Sequence, residues 1–177
     1  MTRYAKSLLF LSIVTLVTYL VLIVLGIRYL IVGDAGLMPF DLRFFGYTYF
    51  EATAYLAALP EASARFYTGP MRVIDTVFPA LLGLWLGWAL WGATRKIHAW
   101  SRVILMIVPA SFILMDLAEN ALVGEMVDLG PTRIDDKLVA LASSYTISKY
   151  VVLVVAFALL AVMIGATVNR NRRSGRS

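Results

Sequence analysis

Runs of apolar positions broken by charge divide the chain into long hydrophobic stretches joined by polar connections. A helix that crosses a bilayer needs about 20 mostly apolar residues, since each adds about 1.5 Å across a hydrocarbon core of about 30 Å. Leu8 to Val32, Val73 to Ala93 and Arg102 to Gly124 all meet that length. A further helical pattern runs from Leu138 to Val168, with its most apolar part over 146–168. The pattern predicts an all-α, four-transmembrane-helix bundle forming a single integral membrane domain over 1–177. Arg3 and Lys6 precede the first stretch as in a secretory signal, but its apolar run is about twice the usual signal core, so an uncleaved anchor is expected.

The 33–72 connection is too patterned for a linker. Thr48 and Glu51 fit a capping box, T-x-x-E, and predict a short, largely apolar helix from about Tyr49 to Leu59, lying on the bilayer surface or capping the bundle. Pro60 interrupts it, and a further turn through Arg65 and Tyr67 follows. Gly69-Pro70 then restarts the chain, with Pro70 as a first helical residue of span 2. In the 124–137 connection Gly130-Pro131 marks a turn, and Thr132 to Asp135 supplies a second capping signal for the last helix.

Composition agrees with this pattern. Hydrophobic residues make up 60% of the 177, against roughly 45–50% in soluble domains. Mean hydropathy is +0.80. With no cysteine, disulfides, thiolate metal sites and cysteine nucleophiles are excluded. The net charge of +5 does not describe a nucleic-acid surface, because the basic residues sit at the ends of the spans.

Those basic residues set an orientation. Arg3 and Lys6 precede span 1, Arg95, Lys96 and Arg102 lie between spans 2 and 3, and Arg170, Arg172, Arg173 and Arg176 form a basic tail over 169–177. None of the 11 acidic residues falls in these segments. Both termini are expected to be cytoplasmic, with 33–72 and 124–137 outside, in a bacterial plasma (inner) membrane. Trp85, Trp88, Trp91 and Trp100 gather toward the cytoplasmic side, where indoles anchor at the interface; the competing reading is an aromatic ligand cage. Gly83 and Gly87 form a GxxxG pair, and Ala161 with Gly165 a second small-residue pair. Such pairs join helices within a bundle or between copies in a homo-oligomer, and both options stay open.

The most informative feature is a polar layer. Counting about 20 residues from each cytoplasmic charge puts Arg28, Asp75 and Lys149 at the outer boundary and Asp116, Glu119 and Asn120 beneath it. Asp116, Glu119 and Asn120 stand at i, i+3 and i+4, so they share a helix face that points into the bundle. Pro79 frees the carbonyl of Asp75, and Pro109 frees that of Leu105 and bends helix 3. Intramembrane ionisable groups are candidate functional sites. Two accounts compete: the six residues lock the bundle together, or they line a cavity open to the outer leaflet.

Three chemistries fit such a cavity. The first is non-enzymatic: a lipid or small apolar ligand bound by Asp75, Asp116, Glu119, Asn120, Lys149 and Arg28, or a scaffold for a membrane complex. The second is an enzyme acting on a lipid or isoprenoid-like substrate with Asp116 and Glu119 as an acid–base pair. The third is a small transporter subunit. Oxygen ligands suit calcium or magnesium, but no zinc-type set exists, since the one histidine, His98, lies in the short loop. No cofactor and no nucleic-acid partner are expected.

The run from Gly46-Tyr47 through Arg65-x-Tyr67 and Asp75 to Phe78-Pro79, followed by Asp116 to Asn120, resembles a pattern in small uncharacterised bacterial four-helix membrane proteins. Spacing differs by one residue at Arg65/Tyr67 and at Asp75/Phe78. The resemblance implies no activity; it implies that the outer helix and the acidic layer form one unit.

Overall fold

The computed structural model describes residues 2–174, with side chains through 169. The side chains of Arg170, Arg172 and Arg173, and all of Arg176, lie outside the described residues. Outside the 30–48 segment the described residues are largely helical: α1 (Arg3–Tyr29), α2 (Tyr49–Ala58), α3 (Glu61–Phe66), α4 (Arg72–Ala93), α5 (Ala99–Leu105), α6 (Ile107–Leu129) and α7 (Asp136–Ser174). Four stretches are long and apolar enough to cross a membrane: Arg3–Tyr29, Glu61–Ala93, Ala99–Leu129 and Asp136–Asn169.

These four pack side by side. One end of the bundle, here the terminal end, carries the start of α1 and the loop between α4 and α5. Tyr4 donates to the carbonyl of Trp88 at 3.2 Å, the Arg95 guanidinium lies 4.6 Å from the Tyr4 ring, and Thr167 donates to the carbonyl of Ala93 at 3.1 Å. Trp85 and Trp88 donate their indole N–H groups to Ser12 and Ser7 of α1, at 2.7 and 3.1 Å. These tryptophans therefore stitch α4 to α1 rather than enclosing a cage. Gly83 and Gly87 face α6: a Cβ on Gly83 would lie 2.4 Å from Ile113 and 3.2 Å from the Pro109 carbonyl, and one on Gly87 would touch Met106 and Pro109. The pair serves a close helix approach within the chain.

The opposite, capped end is closed by residues 30–71. The capping box forms as expected, with Thr48 accepting from the Glu51 amide and Glu51 accepting from the Thr48 amide. The helix it opens caps the bundle through buried Ala52, Tyr55 and Leu56 while Phe50 faces outward. Phe40 is enclosed by the rings of Tyr47 and Tyr55, with centroids 4.8 and 5.0 Å away. Gly46 has a φ of 80°, and a Cβ there would lie 2.5 Å from Ser143 Oγ. Only glycine lets this loop press against α7, where the Tyr47 amide donates to Ser143.

Of two expectations about helix starts, one is met and one is corrected. As expected, Gly69-Pro70 separates two helices: Gly69 leaves helical geometry and kinks the chain between α3 and α4, and Pro70 follows the break. The missing N–H and the ring of Pro70 fall at this break, where they cost no helical hydrogen bond. The last helix is capped by Asp135, whose carboxylate accepts from the Leu138 amide at 2.8 Å, and not by Thr132, which lies in the preceding turn. Pro109 acts as expected: the helix breaks at Met106, between α5 and α6.

Candidate functional site

The capped end encloses a charged cluster. Asp116, Glu119 and Asn120 project from one face of α6, all buried, as their i, i+3, i+4 spacing requires. Thr146 and Lys149 oppose them from α7 at the same three-residue spacing, also buried. The Lys149 ammonium reaches into the acids. It contacts Glu119 directly, lies 3.0 Å from Asp116 and 3.9 Å from Asp41. Thr146 donates its hydroxyl to Glu119 Oε1 at 2.5 Å. Asp41 comes from the 3₁₀ turn Phe40–Leu42 of the cap; its carboxylate accepts from the Tyr67 hydroxyl at 2.6 Å and its carbonyl from the Tyr150 hydroxyl at 2.5 Å.

A buried ammonium is tolerable only with such partners, since an isolated charge there costs several kcal/mol. One ammonium faces the carboxylates of Asp41, Asp116 and Glu119, so the formal balance of the cluster is negative. The Lys149 ammonium lies between Asp116 and Glu119. Among the described residues, no group of three His, Cys, Asp or Glu side chains is arranged to hold a metal ion.

Asn120 links this cluster to a neighbouring cleft. Its amide Nδ2 donates to Asp116 Oδ2 at 3.2 Å and to the Asp75 carbonyl at 3.1 Å, the carbonyl that Pro79 leaves without a helical donor. Its Oδ1 is buried without a hydrogen-bond partner. The cleft runs between α4 and α6 and is lined by Tyr67, Thr68, Arg72, Asp75, Asn120 and Gly124, with about 250 Å³ of atom-free space counting the part open to the outside. The cleft as a whole has room for about one water-sized group, about 10 Å³. The guanidinium of Arg72 lies across Gly124, where a Cβ would come within 2.8 Å of Nη1. Gly124 stands one turn beyond Asn120, so cation and amide form successive levels of one cleft.

Of the residues singled out from sequence, Asp116, Glu119, Asn120 and Lys149 converge, and Asp75 joins them through its carbonyl and the cleft. Arg28 does not. It is exposed at the end of α1, its guanidinium 5.6 Å from the Tyr29 ring. Asp41, Tyr67, Arg72, Thr146 and Tyr150 were not anticipated. Thr146 and Lys149 at i, i+3 on one apolar helix gave a usable signal; Asp41 gave none, because depth counted along a helix says nothing about a folded-back cap. Tyr47, packed over the cluster from the cap, has its phenol held above the usual tyrosine range by burial. Neither protein-family models nor curated proteins nor solved structures match this chain.

Proposed function

We propose that this chain is a non-enzymatic multi-pass protein of the bacterial plasma membrane, with both termini cytoplasmic, that binds a lipid headgroup or a small ligand of the same chemistry in the α4/α6 cleft at the outer leaflet. The membrane assignment rests on the apolar side chains turned outward along the helices, among them Leu16, Leu20, Val24, Val154 and Val162. Exposed apolar surface so extensive marks a membrane-facing protein. The orientation rests on the positive-inside rule: Arg3, Lys6, Arg95 and Lys96 share the terminal end.

The observation that carries the binding role is Asn120 Oδ1, a buried acceptor lacking a donor, on a residue that lines a cleft with Arg72. Buried polar groups without partners are uncommon and call for a ligand or water. Asp116 and Glu119, by contrast, are engaged with Lys149, which favours structure over acid–base turnover for that pair.

The test is mass spectrometry of lipids retained by protein purified in mild detergent. A defined species should co-purify with the natural chain and be depleted in Gly124→Leu, which fills the cleft, and in Arg72→Ala, with thermal unfolding little changed. Equal retention in all three proteins would overturn the reading. Reporter fusions after residue 177 and within 130–135 test the orientation: the first should report cytoplasm and the second the outer side.

A further inference from the structure

We infer that the ligand of the α4/α6 cleft carries a primary ammonium group two carbons from a phosphate, as in a phosphoethanolamine headgroup, whether on a lipid or free. This rests on the binding role proposed above and deepens it. Two residues that line the cleft carry unpaired acceptors: Asn120, whose Oδ1 is orphaned, and Asp75, whose carboxylate is half-buried. Among the described residues, no hydrogen bond or ion pair engages that carboxylate; the bond made at Asp75 is to its backbone carbonyl. Two neighbouring unpaired acceptors ask for a donor with positive charge, and an ammonium presents three N–H bonds.

Size selects among ammonium ligands. The whole cleft takes a group of about one water, about 10 Å³, which admits –NH₃⁺ and not a trimethylammonium, whose methyl groups also remove every N–H donor; the phosphate then lies outside it, toward the exposed Arg72. Arg72 then sets the second charge. Its guanidinium lies over Gly124, four residues and so about 6 Å along the helix from Asn120. Ammonium nitrogen and phosphorus in phosphoethanolamine are joined by four bonds of about 1.5 Å each, a comparable reach. A guanidinium suits a phosphate through paired N–H donors.

The test is native mass spectrometry of the full chain with added phosphatidylethanolamine, phosphatidylcholine or phosphatidylglycerol of one acyl composition, and with free phosphoethanolamine as competitor. The expected result is preferential binding of phosphatidylethanolamine, displaced by phosphoethanolamine. Asp75→Asn and Arg72→Ala should each weaken binding about tenfold or more, the loss expected for a charge-assisted hydrogen bond. Asp75→Asn leaves the carbonyl that Asn120 uses, and unchanged thermal unfolding will verify its fold. Binding of free phosphoethanolamine but not of the lipid would support the same chemistry with a soluble source. Phosphatidylcholine binding as well as phosphatidylethanolamine, or phosphatidylglycerol alone, would overturn this inference while leaving headgroup binding intact. Failure of every lipid and of phosphoethanolamine would overturn both.

Discussion

Asn120 on α6 donates to the backbone carbonyl of Asp75 on α4, 3.1 Å away, and so occupies the acceptor that Pro79 strands four residues later in the chain. A proline inside a helix removes the donor for the carbonyl one turn earlier. In an apolar surrounding that carbonyl must find another partner. The amide of Asn120 supplies it and at the same time reaches Asp116 Oδ2, so one side chain joins two helices and the charged cluster.

Replacing Asn120 by Leu should therefore destabilise the bundle by about 1–3 kcal/mol, because Asp75 O and Asp116 Oδ2 both lose a donor. Pro79→Ala restores an N–H that can bond Asp75 O. In the double variant the cost of Asn120→Leu should be smaller than in the single one. Equilibrium unfolding of the four proteins in mixed detergent measures this coupling; strict additivity would show that Pro79 and Asn120 do not share the carbonyl.

Lys149→Met should be more damaging, at about 3–5 kcal/mol, since it leaves buried carboxylates without their cation. Adding Glu119→Gln and Asp116→Asn should recover much of the loss, because the cost lies in uncompensated charge and not in missing volume. Unfolding midpoints of the single and triple variants decide the matter. A triple variant no more stable than Lys149→Met would mean that the lysine acts by packing.

How far the sequence reached this arrangement depended on the kind of signal. Helix periodicity placed Asp116, Glu119 and Asn120 on one face, and the proline rule identified the free carbonyl of Asp75, because both follow from the geometry of a single helix. The T-x-x-E pair located α2 to within a residue at its C-terminal end for the same reason. What could not be read was tertiary. Counting along a helix places Lys149 at the boundary but does not show that α7 turns it onto Asp116 and Glu119 of α6, and Asp41 is delivered by a loop whose path depends on Gly46 fitting against Ser143. Gly69-Pro70 belongs with the readable signals: the glycine leaves helical geometry and the proline follows it, a break that local chemistry alone predicts.

The Gly83 contact predicts a steric outcome. A methyl group at 83 would lie 2.4 Å from Ile113 Cγ1, too near for either group to stay in place. Gly83→Ala should cost about 1–3 kcal/mol through forced separation of α4 and α6. Ile113→Ala in the same chain should relieve part of it. If the two substitutions are simply additive, the helices do not meet at this point.

The capping box of α2 gives a pH-dependent prediction outside the spans. The Glu51 carboxylate accepts from the Thr48 amide at 2.7 Å and from the Thr48 hydroxyl at 2.8 Å. These bonds, the backbone one foremost, favour the ionised form and hold the carboxyl below its ordinary value. A depressed carboxyl contributes its stabilisation above the ordinary glutamate range and loses it as pH falls through the lower, folded value. Protection of the first-turn amides of α2 against hydrogen exchange should therefore be flat near neutrality and decline in acid, once corrected for the intrinsic exchange rate. Glu51→Gln should abolish that decline while keeping a weaker cap, and Thr48→Ala should lower protection at every pH, at a cost of about 1 kcal/mol. Because α2 carries Tyr55, whose hydroxyl donates to the Leu30 carbonyl at 2.9 Å, loosening it should also expose the end of α1. Exchange that rises at α2 while the Leu30 region stays protected would show that the cap does not move as one body.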